Sequence, residues 1–351
     1  VATWSVDIYP LNSGTATATN IPIMGCSFNY VLNGPGAFEA DLALRNSSIT
    51  QAVLAPGQKE VRLMRNSTLV WAGYLWGARV EMRDRVAIRA EGYLSKLRRR
   101  FVMNDLIYND VNQQTIAWNL IAHTQGLSNG DMLITQGAHT GSNVTRDADY
   151  CALNHPNVAS EIGAFTEFID GIDFEITPTA TDSTNKVFKT YQPKKSTDLS
   201  GTVIFTETNV AALNYELSAD GMITRLVTTG QGDCNPPEDD RSSAGIATYG
   251  LMQEFVSLDT SKLSEVRAFG RQTLANYETP QNLMTVEYAE GSGILGWGQY
   301  VPGDIVKVNA NWGPAGGFGI INQNFRVLQQ DIMLQPPSNV FYRATLDSVL
   351  P

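Results

Sequence analysis

Apolar and polar residues alternate along most of the first hundred positions, which predicts strands that each bury one face. Trp4, Val6 and Ile8 share one parity, and a polar, turn-forming stretch follows at 12–20. Cys26, Phe28, Tyr30 and Leu32 then alternate up to Asn33-Gly34-Pro35-Gly36, and Phe38, Ala40, Leu42 and Leu44 alternate after it. Asn-Gly followed by Pro-Gly forces a chain reversal, so this segment predicts a β-hairpin. Pro56-Gly57 punctuates the next interval, Val61 and Leu63 open another strand, and 69–80 and 86–93 form a further pair across Arg83-Asp84-Arg85. Short strands at this spacing predict a barrel or sandwich.

The period then changes. Ile116, Leu120 and Ile121 fall on helical spacing within 113–125, with Gly126 as a stop. Residues 126–157 are Gly-, Asn- and Thr-rich and read as loop; 160–170 reads as a second helix, with Ile162, Phe165 and Ile169 on one face. Ile172, Phe174 and Ile176 start a strand whose expected partners are 187–191 and 202–206, which makes a small α+β unit. Strands return at 210–217 and 223–229, and 232–243 reads as an acidic, Pro-containing loop. A long helix is expected over 261–277, with Leu263, Val266, Phe269, Leu274 and Tyr277 available for burial and Pro280 ending it. The remaining strands are 283–288, 305–308, 319–334 and 340–349.

The expected fold class is therefore mainly β with α+β insertions: two β-barrel or sandwich domains plus smaller helix-containing domains. The boundaries read as 1–103, then 104–200, then 201–235 continued by 283–351, with 236–282 as a helix-containing insertion. An internal echo supports two β domains of one kind. Pro56-Gly57 leads into Val61-Arg62-Leu63, and Pro302-Gly303 into Val306-Lys307-Val308. Arg79-Val80 and Arg326-Val327 follow, then Arg89-Ala90 and Arg343-Ala344. Coincidence is the alternative, since Pro-Gly turns before strands are common.

Composition narrows the function. The chain has 351 residues, of which 17% are charged; average domains sit near about a quarter, so a surface covered by partners is expected. The net charge of −10 argues against general nucleic-acid binding through phosphate neutralisation. Three scattered cysteines, Cys26, Cys151 and Cys234, do not make a disulfide framework and fit reduced cytosolic synthesis. No signal-peptide pattern opens the sequence, and no apolar run approaches the ~18 residues that span a bilayer, so no membrane insertion is expected.

Candidate chemistry is sparse. Gly291-Ser292-Gly293-Ile294-Leu295-Gly296 matches Gly-x-Gly-x-x-Gly, but Trp297, Tyr300, Pro302 and Gly303 follow where a dinucleotide site needs a helix, so a loop is expected. His139, Asp149, Cys151 and His155 share one stretch without the second close pair of a zinc finger. His123 falls on the polar side of the first helix. Glu238-Asp239-Asp240 lacks the alternating ligands of an EF-hand and reads as a solvated turn. Neither Gly-x-Ser-x-Gly nor His-Glu-x-x-His occurs. No catalytic, cofactor or metal residue is expected. Lys96-Leu97-Arg98-Arg99-Arg100 is a basic run in an acidic chain and reads as an interface segment. Trp71, Trp76, Trp297 and Trp312 are read as core or interface residues.

Taken in order, several segments resemble the tail-hub family of long-tailed bacteriophages, especially minor tail proteins of phages that infect actinobacteria. They are Asn33-Gly34-Pro35-Gly36-x-Phe38, Val70-Trp71-Ala72-Gly73, Ala87-Ile88-Arg89-Ala90-Glu91-Gly92-Tyr93, Phe168-Ile169-Asp170-Gly171-Ile172-Asp173-Phe174, Asn209-Val210, Tyr249-Gly250-Leu251 and Gly303-Asp304-x-Val306-x-Val308. The resemblance implies two tail-tube-like β domains in one chain, so that a homotrimer imitates six tube subunits and joins a sixfold tube to a threefold tip. It implies a structural virion protein without enzymatic activity, made in the host cytoplasm and placed at the tail tip. Implied partners are the distal tail or tail-tube protein above, the tape-measure protein, and tail-tip or fibre proteins, with DNA only in transit through an acidic lumen. Assembly contacts are expected at Asn33, Gly34, Pro35, Gly36, Phe38, Trp71, Arg98, Arg99 and Arg100. Family members often carry C-terminal fibre or peptidoglycan-cleaving modules; with the last strand followed by Pro351, any hydrolase is expected on a separate protein. The rival readings are a tail-associated peptidoglycan hydrolase using acids or Cys151 and His155, and a receptor- or carbohydrate-binding tail module using exposed aromatics.

Overall fold

The computed structural model describes residues 2–81, 84–168, 170–179, 184–230, 237–258, 263–291, 295–311, 319–335 and 339–348. Six strands open the chain: β1 (Trp4–Pro10), β2 (Ala18–Val31), β3 (Ala37–Ala43), β4 (Lys59–Arg65), β5 (Thr68–Glu81) and β6 (Arg85–Gly92). They lie in the order β1-β4-β5-β6-β3-β2, and β1 pairs with β2 as well, so the ring of pairings closes into a barrel. The alternation read from the sequence is the cause: Val6, Ile8, Phe38, Leu42, Val61, Leu63 and Leu75 are fully buried inside it. The hairpin turn forms as expected, with Asn33 at φ 59° and Gly36 at φ 63°. A side chain at Gly36 would sit 2.5 Å from the Asn29 carbonyl oxygen, so only glycine fits there.

After a 3₁₀ turn (Tyr93–Arg99) comes a second unit: β7 (Leu106–Asn112), α1 (Gln113–Gln125), β8 (Ile134–Thr140), β9 (Thr145–Tyr150), α2 (Val158–Ala164), β10 (Asp173–Pro178) and β11 (Lys186–Tyr191). Asn112 and Asn157 cap the two helices by accepting backbone N–H bonds. Ile116, Leu120, Ile121, Ile162 and Phe165 are buried in a separate core, as their spacing predicts. Two expectations fail here. The supposed loop 126–157 holds β8, which is mostly exposed, and β9, whose buried positions are Arg146 and Tyr150, so no apolar alternation marks either. The helix expected over 160–170 runs only through Val158–Ala164; Ile169 lies outside the described residues.

The third part begins with β12 (Ile204–Thr206) and β13 (Ala212–Ser218). A small unit follows: β14 (Arg225–Thr229), β15 (Glu238–Arg241), α3 (Ser243–Tyr249), β16 (Gln253–Ser257) and α4 (Leu263–Tyr277). The chain finishes with β17 (Gln281–Ala289), β18 (Ile305–Asn311), β19 (Ile320–Gln335) and β20 (Asn339–Ser348). Strand partners differ from expectation at three places. Residues 204–206 pair with β18, not with β10 or β11. Residues 225–229 join β15 and β16 in a sheet of their own under α4. Residues 238–241 are a strand rather than a solvated turn, because Arg225 and Arg241 hold Asp239 while Arg267 holds Glu238.

Strands β12, β13, β17, β18, β19 and β20 lie in the order β12-β18-β19-β20-β17-β13. This repeats, strand for strand in chain order, the arrangement β1-β4-β5-β6-β3-β2. The Pro-Gly echo falls on matching places. The Gly57 N–H donates to the Leu75 carbonyl oxygen, and the Gly303 N–H to that of Val327, each at 2.8 Å. A bulge follows each acceptor, at Trp76 and at Leu328. The copies differ at one strand: β1 runs antiparallel to β4, whereas the three-residue β12 runs parallel to β18 and, among the described residues, does not pair with β13.

Candidate assembly interface

The two six-stranded sets are joined by hydrogen bonds. Residues 26–31 of β2 pair antiparallel with 334–329 of β19, so one twelve-stranded sheet runs through both. Each of these long strands is shared. The start of β2 pairs with β1 and its end with β19; the start of β19 pairs with β18 and its end with β2. Beneath the seam, Trp4, Phe28, Tyr30 and Trp297 form an aromatic cluster with ring centroids 5.9–6.4 Å apart. Arg65 lies over Trp4 and Trp297 and pairs with Glu290. On the outer face, Asn29 Nδ2 donates to Asp331 Oδ1 at 3.2 Å across the seam.

The middle unit is held by two polar nodes. Asp173, fully buried, accepts from Asn33 Nδ2 at 2.8 Å, from the Lys195 N–H at 2.6 Å, and from Arg326. One carboxylate thus ties the hairpin of the first barrel and a strand of the second set to β10. Asn33 completes the contact by accepting the Phe174 N–H at 2.8 Å. The second node is an ion pair between Lys186 of β11 and Glu60 of β4, 2.7 Å apart, with both side chains about 1% exposed. Tyr93 donates to Glu60 at 3.2 Å, and Arg62 lies 3.8 Å from the same carboxylate. Burial, reinforced by the Glu60 charge, pushes the Tyr74 and Tyr93 hydroxyls well above the ordinary phenol range.

The residues singled out from sequence separate into three places. Asn33, Gly34, Pro35 and Trp71 line one cleft of about 440 Å³ between the first barrel and β10. Phe38 is fully buried and stacks on Trp71 at 5.1 Å, so both are barrel core rather than open contact surface. Gly36 serves the turn. Arg98, Arg99 and Arg100 lie at the end of the 3₁₀ turn: Arg98 and Arg99 are exposed, Arg98 pairs with Glu91 at 3.2 Å, and Arg100 donates to the Gly130 carbonyl oxygen at 3.2 Å.

The enzyme-like candidates do not converge. Cys151 and His155 flank a short 3₁₀ turn, His139 bonds to Thr190 and Gln136, and His123 accepts the Met103 N–H. Among the described residues no three His, Cys, Asp or Glu side chains are placed to hold a metal ion. Residues 292–294, Trp312 and Cys234 lie outside the described residues. No helix of the described chain is long and apolar enough to cross a membrane.

Solved structures share this fold over almost the whole chain. A tail protein from Neisseria meningitidis aligns over 99% of this chain and 97% of its own, with a TM-score of 0.64 at 12% identity. The fold is that of phage tail proteins. A prophage tail protein from Listeria monocytogenes covers 98% of this chain and 94% of its own (TM-score 0.61, 11% identity). An Escherichia coli type VI secretion component, itself described as similar to phage T4 tail proteins gp27 and gp5, covers 93% of this chain and 74% of its own (TM-score 0.53, 11% identity). No protein-family model and no curated protein matches the chain. The tail-protein fold accounts for the class expected from the sequence, mainly β with a closed barrel and few helices.

What sequence reading missed is the joining apparatus. Asp173, Arg326, Glu60 and Lys186 look like ordinary surface charges in the sequence. Lys186 begins its strand with the parity of the buried Phe188 and Thr190, the one local sign that it points inward.

Proposed function

We propose that this chain is a structural component of a phage tail, acting as a homotrimeric hub between a sixfold tail tube and a threefold tip. The observation that carries the reading is the repeated strand order within one polypeptide, β1-β4-β5-β6-β3-β2 and β12-β18-β19-β20-β17-β13. Three copies then present six β units of like strand order, and head-to-tail contacts between copies close a ring. Residues 1–103 form the first tube-like domain; the second, read from the sequence as 201–235 with 283–351, gives up 225–229 to the separate small sheet, and the units between the two decorate the ring. The family is that of tail hubs of long-tailed phages, with actinobacterial phages as the setting suggested by the sequence.

In this reading the hub sits at the virion tail tip, below the distal tail or tail-tube protein, and contacts the tape-measure and fibre proteins. DNA passes through its lumen without being held, because the chain is acidic overall. The exposed Arg98 and Arg99 face a neighbouring tail protein. The role is not catalytic; clearing of host cell walls in a zymogram of the purified chain would overturn that part.

The test is native mass spectrometry of the purified chain over a wide concentration range, with and without neighbouring tail proteins, followed by image averaging of the largest species. Rings with three copies and six similar lobes are expected, at high concentration or with neighbours present. A monomer under every condition would overturn the proposal.

A further inference from the structure

The repeat can be carried through in register, and it then specifies an interface. Leu75 corresponds to Val327 through the matched glycine contacts, and Gly77 to Gln329 after the matched bulges. Gly77 lies opposite Arg89, Arg89 opposite Glu39, and Glu39 opposite Ser27. In the second set Gln329 lies opposite Thr345, Thr345 opposite Thr285, and Thr285 opposite Asn214. Ser27 therefore corresponds to Asn214, and Val31 to Ser218, which are the last residues of β2 and β13.

Within the chain, the end of β2 pairs with the end of β19. The counterparts of these two segments are the end of β13 and the end of β5, and among the described residues both are edges without a partner strand. β13 terminates the large sheet. β4 accompanies β5 only as far as Tyr74, leaving 77–81 with β6 on one side and, among the described residues, no strand on the other.

We propose that 214–218 of one copy adds antiparallel to 77–81 of the next, repeating the internal seam between copies. The pairing rests on the trimeric reading above. It sets Gly77 opposite Ser218, Ala78 opposite Leu217, Arg79 opposite Glu216, and Val80 opposite Tyr215. The exposed side chains on these edges match. Val80 is 67% and Leu217 53% exposed, whereas Ile332, the counterpart of Val80, is 1% exposed inside the finished seam. Arg79 and Glu216 carry opposite charges where their counterparts Asp331 and Asn29 already share a hydrogen bond. An open edge of this kind is otherwise a liability for a folded chain.

Charge reversal tests it. The full chain with Arg79→Glu is expected to self-associate at least about tenfold more weakly, because like charges then face each other. At a concentration where the chain is monomeric its thermal midpoint should fall only slightly, since the change costs the exposed Arg79–Glu81 ion pair but no buried contact. Adding Glu216→Arg should restore association. Arg79→Cys combined with Glu216→Cys should give, on mild oxidation, a covalent species of three chains. Wild-type trimers indifferent to Arg79→Glu, with no such disulfide, would overturn this interface and leave the trimeric reading standing. Absence of wild-type trimers would overturn both. A disulfide ladder running beyond three chains would uphold the strand pairing and overturn the threefold closure.

Discussion

The six strands at the start of the chain close on themselves, while among the described residues the six built to the same order later do not. The difference lies in one strand. β1 has seven residues, runs antiparallel to β4 and also grips β2; β12 has three, runs parallel to β18 and leaves β13 as an edge. Closure removes edges and the risk of stray pairing. Shortening and reversing one stave of a barrel with the same strand order leaves, among the described residues, an open edge at β13. A shared topology thus yields two behaviours, and the sites that decide between them lie at strand ends rather than in the core.

The largest expected effect tests how firmly the closed barrel holds its neighbour. Lys186→Met leaves the Glu60 carboxylate buried without its nearest cation, which should cost about 3–5 kcal/mol in urea denaturation. Glu60→Leu together with Lys186→Met should recover most of it. A single variant as stable as the parent would show that the barrel and the middle unit are not coupled there. Next come matched core deletions. Phe38 and Met284 occupy equivalent, fully buried places in the two sets. Phe38→Ala should cost ~3–5 kcal/mol and Met284→Ala ~2–5, with Phe38 the greater because it also stacks on Trp71. The reverse order, by calorimetry or denaturant titration, would break the comparison.

Smaller effects sharpen it. Gly57 and Gly303 make the same turn at φ 74° and 102°. Gly57→Ala meets open space and should cost only the left-handed strain of about 1–2 kcal/mol. Gly303→Ala also meets the Lys195 carbonyl oxygen at 2.9 Å and should cost more. The smallest effect is on pH dependence. Burial pushes the Glu175 carboxyl up, but Lys195, Tyr191 and Lys189 outweigh it and leave its pKa below the ordinary value. Its contribution is then full above the ordinary carboxylate range and fades as pH falls through the lowered value. Glu175→Gln should flatten that part of an acid titration of stability; an unchanged slope would remove Glu175 from the account.

Much of the architecture was legible where one strand face is buried. The hairpin around 33–36, helix 113–125 and the Pro-Gly echo all rest on local periodicity or turn chemistry, which the sequence carries directly. β8 exposes most of its side chains, and β9 and β15 are built largely of charged and polar residues, so apolar alternation has nothing to mark. Partner choice was hidden for another reason: which sheet takes 204–206 or 225–229 depends on residues far along the chain. Trp71 and Phe38 were picked as assembly contacts because their motif stood out, and the motif stands out because it builds a core. The edges of β5 and β13 became visible only once the repeat had been set in register.

The seam shared by β2 and β19 also bears on mechanics. Two domains strung on a flexible tether can swivel independently, but here each long strand begins inside one unit and ends bonded to the other. Twisting one against the other would shear a ladder of six consecutive residue pairs at once. The molecule should therefore transmit torsion along its length like a single girder, and yield, under load, at its outer edges first.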